Sequence, residues 1–255
     1  MSGPATTYQL DGPVAWLTIN RPESRNCLSA EVRAGLWEGV RAFNADEDAK
    51  VLVLTGAGDK AFCAGGDLKE MSSTALRVPP PDYLPQLGRN IEVLKPTIAA
   101  VNGVAFAGGF MLSQNCDLCV AADNARFAVT EVKVGRGAPW AAPLPWLVPS
   151  RIAMEILLTG DPMDASRAHQ LGLVNRVVPA DRLRSEVQAL GERIAANAPL
   201  SVQAAKRTVR LAAEHPLREA FEVAERLWEP VYLSGDAQEG PTAFREGRAP
   251  SWTGR

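Results

Sequence analysis

The sequence predicts an α/β core followed by a helical C-terminal region, and two observations carry that prediction. Through the first two-thirds of the chain, short apolar runs rich in β-branched residues alternate with stretches of helical period. From Arg151 onward the pattern turns mostly helical. A chain of 255 residues with 46% apolar and 22% charged content has the material for one sizeable core.

The elements follow in order. Val14–Asn20 reads as a strand ended by Arg21-Pro22. Ser29 is a candidate N-cap for a helix to about Phe43, with Val32, Leu36, Val40 and Phe43 on one face. Val51–Thr55 is a fully apolar strand, broken by Gly56-Ala57-Gly58-Asp59. Cys63-Ala64-Gly65-Gly66 then leads through Asp67 into a short helical stretch. Arg77–Pro85 holds four prolines and reads as a surface loop, followed by a helix to Leu94 that Lys95-Pro96 stops. Thr97–Val101 is the next strand; after Asn102-Gly103 come Gly108-Gly109, a helix through Phe110–Leu112, and a strand at Leu118–Ala122. A short strand is expected at Leu173–Val178. Pro199, Pro216 and Gly235 divide the last helices, whose apolar stripes, such as Leu217, Phe221, Ala224 and Leu227-Trp228, need a partner surface.

Several function classes are disfavoured at this level. A net charge of −2 gives no electrostatic case for nucleic acid or an anionic membrane as main partner. Met1–Thr7 has neither the charged start nor the apolar stretch of a signal peptide. The apolar-looking segment Ile98–Leu112 is interrupted by Asn102 and glycines and is too short to span a bilayer. A cytoplasmic setting is therefore expected. Cys116 and Cys119 form a C-x-x-C, but there is no second pair and neither His169 nor His215 is near, so buried reduced thiols are expected and no metal site. Gly56–Lys60 lacks the spacing of a phosphate loop. A Ser-His-Asp hydrolase is weakly supported, because no Gly-x-Ser-x-Gly elbow is present.

The two glycine loops are more informative as a pair. Each follows a strand and opens a helix. Glycine lets the backbone approach a ligand closely, and a helix start presents unpaired N–H groups. Two such loops side by side would aim two donors at one oxygen, polarising a thioester carbonyl or holding an enolate.

Lys60-Ala61-Phe62-Cys63-Ala64-Gly65-Gly66-Asp67-Leu68-Lys69-Glu70-Met71 resembles the first oxyanion-loop motif of the enoyl-CoA hydratase/isomerase (crotonase) superfamily. Lys95–Gly103, running into Gly108-Gly109, resembles the second. Asn20-Arg21-Pro22-Glu23, Leu157-Leu158-Thr159-Gly160 and Leu171–Val178 are similar to further pieces, so the likeness spans nearly the whole chain. The resemblance implies a crotonase-like ββα spiral core over residues 1–195 and a C-terminal helical oligomerisation region over 196–255, assembled as a homotrimer or dimer of trimers. It puts the two enolate-binding N–H groups on Gly66 and Gly108. It puts the CoA-binding edge at Arg25, Asn26 and Leu28, with Ala64 and Lys69 close by, and allows Arg245 or Arg248 to meet CoA phosphates. No separate cofactor is implied, since CoA enters as part of the acyl-CoA substrate.

The chain departs from the family pattern at two places. Hydratases of the family use two glutamates; the first position holds Met111 here, which cannot transfer a proton, and the second holds Glu131. Apolar surroundings are expected to raise the pKa of Glu131. One carboxylate suffices to move a double bond from a 3-enoyl thioester, so isomerase-like chemistry is expected, with hydration or a non-catalytic CoA-binding role as alternatives. The segment Gly135–Trp146 also differs, and Pro139 and Trp140 are expected to narrow the acyl pocket.

Overall fold

A computed structural model describes residues 3–255. Met1 and Ser2, the start of the segment read for a leader, lie outside the described residues. The strands are β1 Thr6–Asp11, β2 Val14–Ile19, β3 Val51–Gly56, β4 Ala61–Cys63, β5 Thr97–Val101, β6 Val104–Phe106, β7 Leu118–Ala122, β8 Arg126–Ala128, β9 Met163–Asp164 and β10 Arg176–Val178. They form a six-stranded sheet in the order β1-β2-β3-β5-β7-β10 and a four-stranded sheet in the order β4-β6-β8-β9. All pairs are parallel except β1 with β2 and β8 with β9. The chain thus places one strand in the large sheet and the next in the small one: β3 then β4, β5 then β6, β7 then β8. That is the expected spiral.

The central strands β2, β3, β5 and β7 of the large sheet are buried on both faces, which is why they read as continuous apolar runs. Val14, Trp16, Val51, Val53, Ile98 and Ala100 pack against Leu183, Val187 and Leu190 on one face. Leu17, Ile19, Leu52, Leu54, Ala99 and Val101 join the core on the other, with Val32, Leu36, Phe62 and Phe127. The strict alternation follows from successive side chains pointing to opposite faces.

Ten α-helices are described, α1 Ala30–Ala45, α2 Leu68–Ser73, α3 Gly108–Asn115, α4 Leu144–Leu147, α5 Ser150–Thr159, α6 Ala165–Gln170, α7 Leu183–Ala195, α8 Pro199–Glu214, α9 Leu217–Leu233 and α10 Asp236–Glu246. Ser29 caps α1 as expected, its hydroxyl accepting the Val32 N–H at 3.3 Å, and Val32, Leu36, Val40 and Phe43 are all buried. Among the described residues no helix is long and apolar enough to cross a membrane.

The structure corrects two element readings. The helix expected before Leu94 is absent: the segment turns, with Gly88 at φ +83° and a single Leu87–Ile91 bridge. The cause is local competition from a side chain. Asn90 accepts the Gln86 N–H at 2.7 Å and donates to the Pro81 and Leu84 carbonyls at 2.8 and 2.9 Å. The strand expected at Leu173–Val178 shortens to Arg176–Val178, because the Leu173 N–H closes the end of α6 on Ala168 O at 3.0 Å. Cys116 and Cys119 are free thiols, and burial pushes Cys116 up to about 12 and Cys119 up as well.

Candidate active site

Strands β4 and β6 are parallel neighbours, so the loops that leave them emerge side by side. The approach is close: a Cβ on Gly65 would lie 2.8 Å from Ala107 Cβ and 3.6 Å from Gly108 N. Gly65 also sits at φ +97°, which a side chain would strain. In the second loop Gly109 packs directly on the Cys63 carbonyl, leaving no room for a Cβ. Among the described residues neither the Gly66 N–H nor the Gly108 N–H donates to a protein acceptor.

The edge assigned to CoA is built by a backbone excursion. Arg25 and Asn26 both adopt left-handed φ, 54° and 55°. The excursion brings Arg25 O to accept the Ala64 N–H at 3.0 Å and Leu28 N–H to donate to Gly65 O at 2.8 Å. Asn26 lies beneath this edge rather than on it. It is fully buried, accepts Arg21 N–H at 2.9 Å, and donates to Ala57 O and Ala61 O at 3.0 and 2.7 Å. Its amide is consumed in bracing the turn. Leu28 is buried with a methyl tip against Gly108, which wedges the two loops. Arg25 and Lys69 are exposed, and Ala64 is half-buried. Arg248 is not free, since Glu239 holds its fork at 2.6 and 2.9 Å; Arg245 is exposed.

Glu131 follows β8 in a tight 3-10 turn over Thr130–Val134. Only 8% of it is exposed, and its Oε2 is buried without a hydrogen-bond partner. Burial pushes its carboxyl above the usual range, while its own backbone N–H and Trp140 lower it in smaller measure. Met111 is 2% exposed in α3 and belongs to the core. Trp140 is half-buried, its ring 6.0 Å from that of Phe110, and its carbonyl accepts from Gln114 at 3.1 Å; Pro139 is exposed beside it. Gln114 was not singled out from the sequence, where nothing distinguishes it from a solvated helix residue. Two clefts of about 340 and 680 Å³ lie elsewhere, where α8 or the chain end meets the core. Neither contains Gly66, Gly108 or Glu131, so the chemistry and not the depth of the surface marks the site.

Alternating strands in two sheets, paired glycine loops and a buried carboxylate define a protein of the crotonase fold. The solved enoyl-CoA hydratases from Mycobacterium tuberculosis H37Rv and Mycobacterium marinum superpose with TM-scores of 0.90 and 0.91, each 38% identical and covering 99% of this chain and 100% of theirs. The enoyl-CoA hydratase/isomerase family model matches residues 10–255, and the chain belongs to that family. It is similar to an (E)-benzylidenesuccinyl-CoA hydratase from Thauera aromatica, at 40% identity over 97% of this chain and 98% of the relative. It is also similar to a carnitinyl-CoA dehydratase from Citrobacter koseri, at 38% identity over 96% of each.

Proposed function

We propose that the protein holds the thioester oxygen of an acyl-CoA with the Gly66 and Gly108 N–H groups and moves protons with Glu131 alone. The observation that carries this reading is the buried, unpartnered Oε2 of Glu131. A buried acceptor without a partner is costly and needs a reason; a C–H acid at C2 of the substrate supplies one. Ionised Glu131 takes a proton from C2 of a 3-enoyl thioester. The electron pair moves onto the thioester oxygen, held by two N–H donors. The same carboxyl returns the proton at C4, and the double bond shifts from C3 to C2. Met111 supports this reading because it adds no second proton carrier. The names of the relatives support a second reading, addition or loss of water; it requires another group to hold that water. Those names span different acyl groups, so membership in the family identifies the thioester and leaves the acyl chain open.

Incubation with 3-enoyl- and 2-enoyl-CoA separates the readings. Isomerisation is expected, and Glu131→Gln is expected to lower turnover about 10²–10⁴-fold with thioester binding intact. Hydration at ordinary rates that survives Glu131→Gln would overturn the assignment, and binding without turnover of either substrate would mark a non-catalytic member. Because burial raises the Glu131 pKa, the acid limb of kcat is expected above the ordinary glutamate value of about 4.3. The sign for stability is the opposite of that for activity. A carboxyl whose pKa is raised in the fold loses stability as pH rises, so Glu131→Gln should stabilise at neutral pH and lose its advantage below about pH 4.

The same reading includes assembly into a homotrimer or a dimer of trimers in the cytoplasm. The helical C-terminal region leaves Leu217, Phe221, Tyr232, Leu233 and Phe244 at least 65% exposed, a large apolar display for a monomer. Light scattering on the eluting protein reads the subunit number; a monomer at all concentrations would remove this part.

A further inference from the structure

Two of the arginines around the glycine loops are already matched. Arg21 lies 3.8 Å from Asp67 and 3.7 Å from Glu23. Arg33 holds Glu70 at 2.7 Å and stacks 4.2 Å from the centre of the Tyr83 ring. Arg25, Lys69 and Arg77 have no carboxylate partner among the described residues, but all three are exposed. Arg136 differs. It is half-buried, forms no ion pair among the described residues, and makes one side-chain bond, Nη1 to Leu76 O at 2.8 Å.

A guanidinium has five N–H donors in a planar fork, and an unpaired charge withdrawn from water is costly. The acids of the first glycine loop and of α2 are engaged elsewhere. Glu70 pairs with Arg33 and accepts the Ala30 N–H at 2.8 Å, and Asp67 caps α2. The Tyr83 hydroxyl accepts from Arg33 Nη1 at 3.0 Å, while Arg136 bonds the Leu76 carbonyl earlier in the same segment. Glu131 forms no ion pair among the described residues and its Oε2 has no hydrogen-bond partner, so its carboxyl is not the missing partner. Yet Arg136 leaves the same turn, its backbone N–H donating to Glu131 O at 2.9 Å. Its side chain reaches from the Glu131 turn to the Leu76 carbonyl, whereas Arg25 and Lys69 flank the first glycine loop.

We propose that Arg136 receives a carboxylate carried by the acyl group, so that the preferred substrate is the CoA thioester of a dicarboxylic acid. The fork of arginine matches a carboxylate with two parallel bonds. The proposal rests on the acyl-thioester reading of the loops and of Glu131.

Calorimetric titration of the full chain with CoA, butyryl-CoA and glutaryl-CoA tests it without requiring turnover. Glutaryl-CoA is expected to bind about tenfold more tightly than butyryl-CoA, the scale of one charge-assisted hydrogen bond. Arg136→Met should erase that ratio while changing butyryl-CoA affinity less than about twofold, and Arg136→Lys should keep part of it. Equal affinity of the two thioesters for the wild-type protein overturns the proposal and leaves the thioester reading standing. So does an Arg136→Met variant that weakens CoA and both thioesters alike, which would assign Arg136 to phosphate or to holding the Leu76 loop. Failure of all three ligands to bind overturns the thioester reading, and this proposal with it.

Discussion

The two glycine loops share one order of strand, turn and helix, yet they secure their N–H groups by opposite means. In the first loop, Asp67 caps α2 and accepts the Lys69 and Glu70 N–H groups at 3.2 Å each. The loop is held from outside, through Arg25 O and Leu28 N–H, and α2 buries no residue. In the second loop Ala107 precedes α3 with φ 51°, ψ −119° and no capping side chain. That helix is held from within, since Gly109, Phe110, Met111, Leu112 and Ser113 are buried. A helix start carries partial positive charge on its unpaired N–H groups. Asp67 cancels it at α2, so the positive helix end remains only behind Gly108. The two loops, alike in sequence order, thus differ in whether a side chain caps the helix that follows.

The largest contrast between the two loops is expected from glycine substitutions. Gly109→Ala drives its methyl into the Cys63 carbonyl, a backbone atom that cannot turn aside, and is expected to cost about 3 kcal/mol or to prevent folding. Gly66→Ala meets only the flexible Met71 sulfur, 2.9 Å away, and should cost less than about 1 kcal/mol. Denaturant unfolding reads both, and equal costs would mean that the second loop is not the internally packed one.

Removal of the cap comes next. Asp67→Ala should cost about 1 kcal/mol. The Glu70 and Lys69 amides, Cys27 and Arg21 hold the Asp67 pKa below its ordinary value, the Glu70 N–H contributing most. A depressed carboxyl contributes stability that is present at neutral pH and lost as pH falls below about 4. The variant should lack that acid-side loss, and an unchanged stability–pH profile would show that the cap contributes nothing. The smallest effect is expected at Ala107→Gly. Relief of about 1–3 kcal/mol of backbone strain is offset partly by the greater freedom of unfolded glycine, leaving a gain of about 0.5–1 kcal/mol in thermal or chemical unfolding. A loss of stability there would show that the methyl contact with the first loop outweighs the strain.

Much of this frame is legible before any coordinates. The doubly buried strands announce themselves as apolar runs, as at Val51–Thr55, and Ser29 with its apolar stripe marks α1 to within a few residues. The four-stranded sheet is not legible, because β4, β6 and β8 are three-residue strands too short to show any period. Turns ruled by one side chain are equally hidden. Asn90 converts an expected helix into a loop, and Asn26 turns from a candidate ligand contact into a buried brace, each through hydrogen bonds to backbone groups that sequence alone does not bring near.

At the proposed site, residue type and order supply the chemical groups: two glycine loops, one glutamate at 131, and a methionine at 111 that moves no proton. These are matters of residue type and order, which survive any folding. The packed fold set the environment. Among the described residues it buried Glu131 and left its Oε2 without a partner, spent the helix end of α2 on Asp67 while leaving that of α3 uncapped by any side chain, and set Arg136 half-buried with no acid to match it. Burial, pairing and pKa arise from groups distant in sequence that share a low-dielectric space, and only the packed fold brings those groups together.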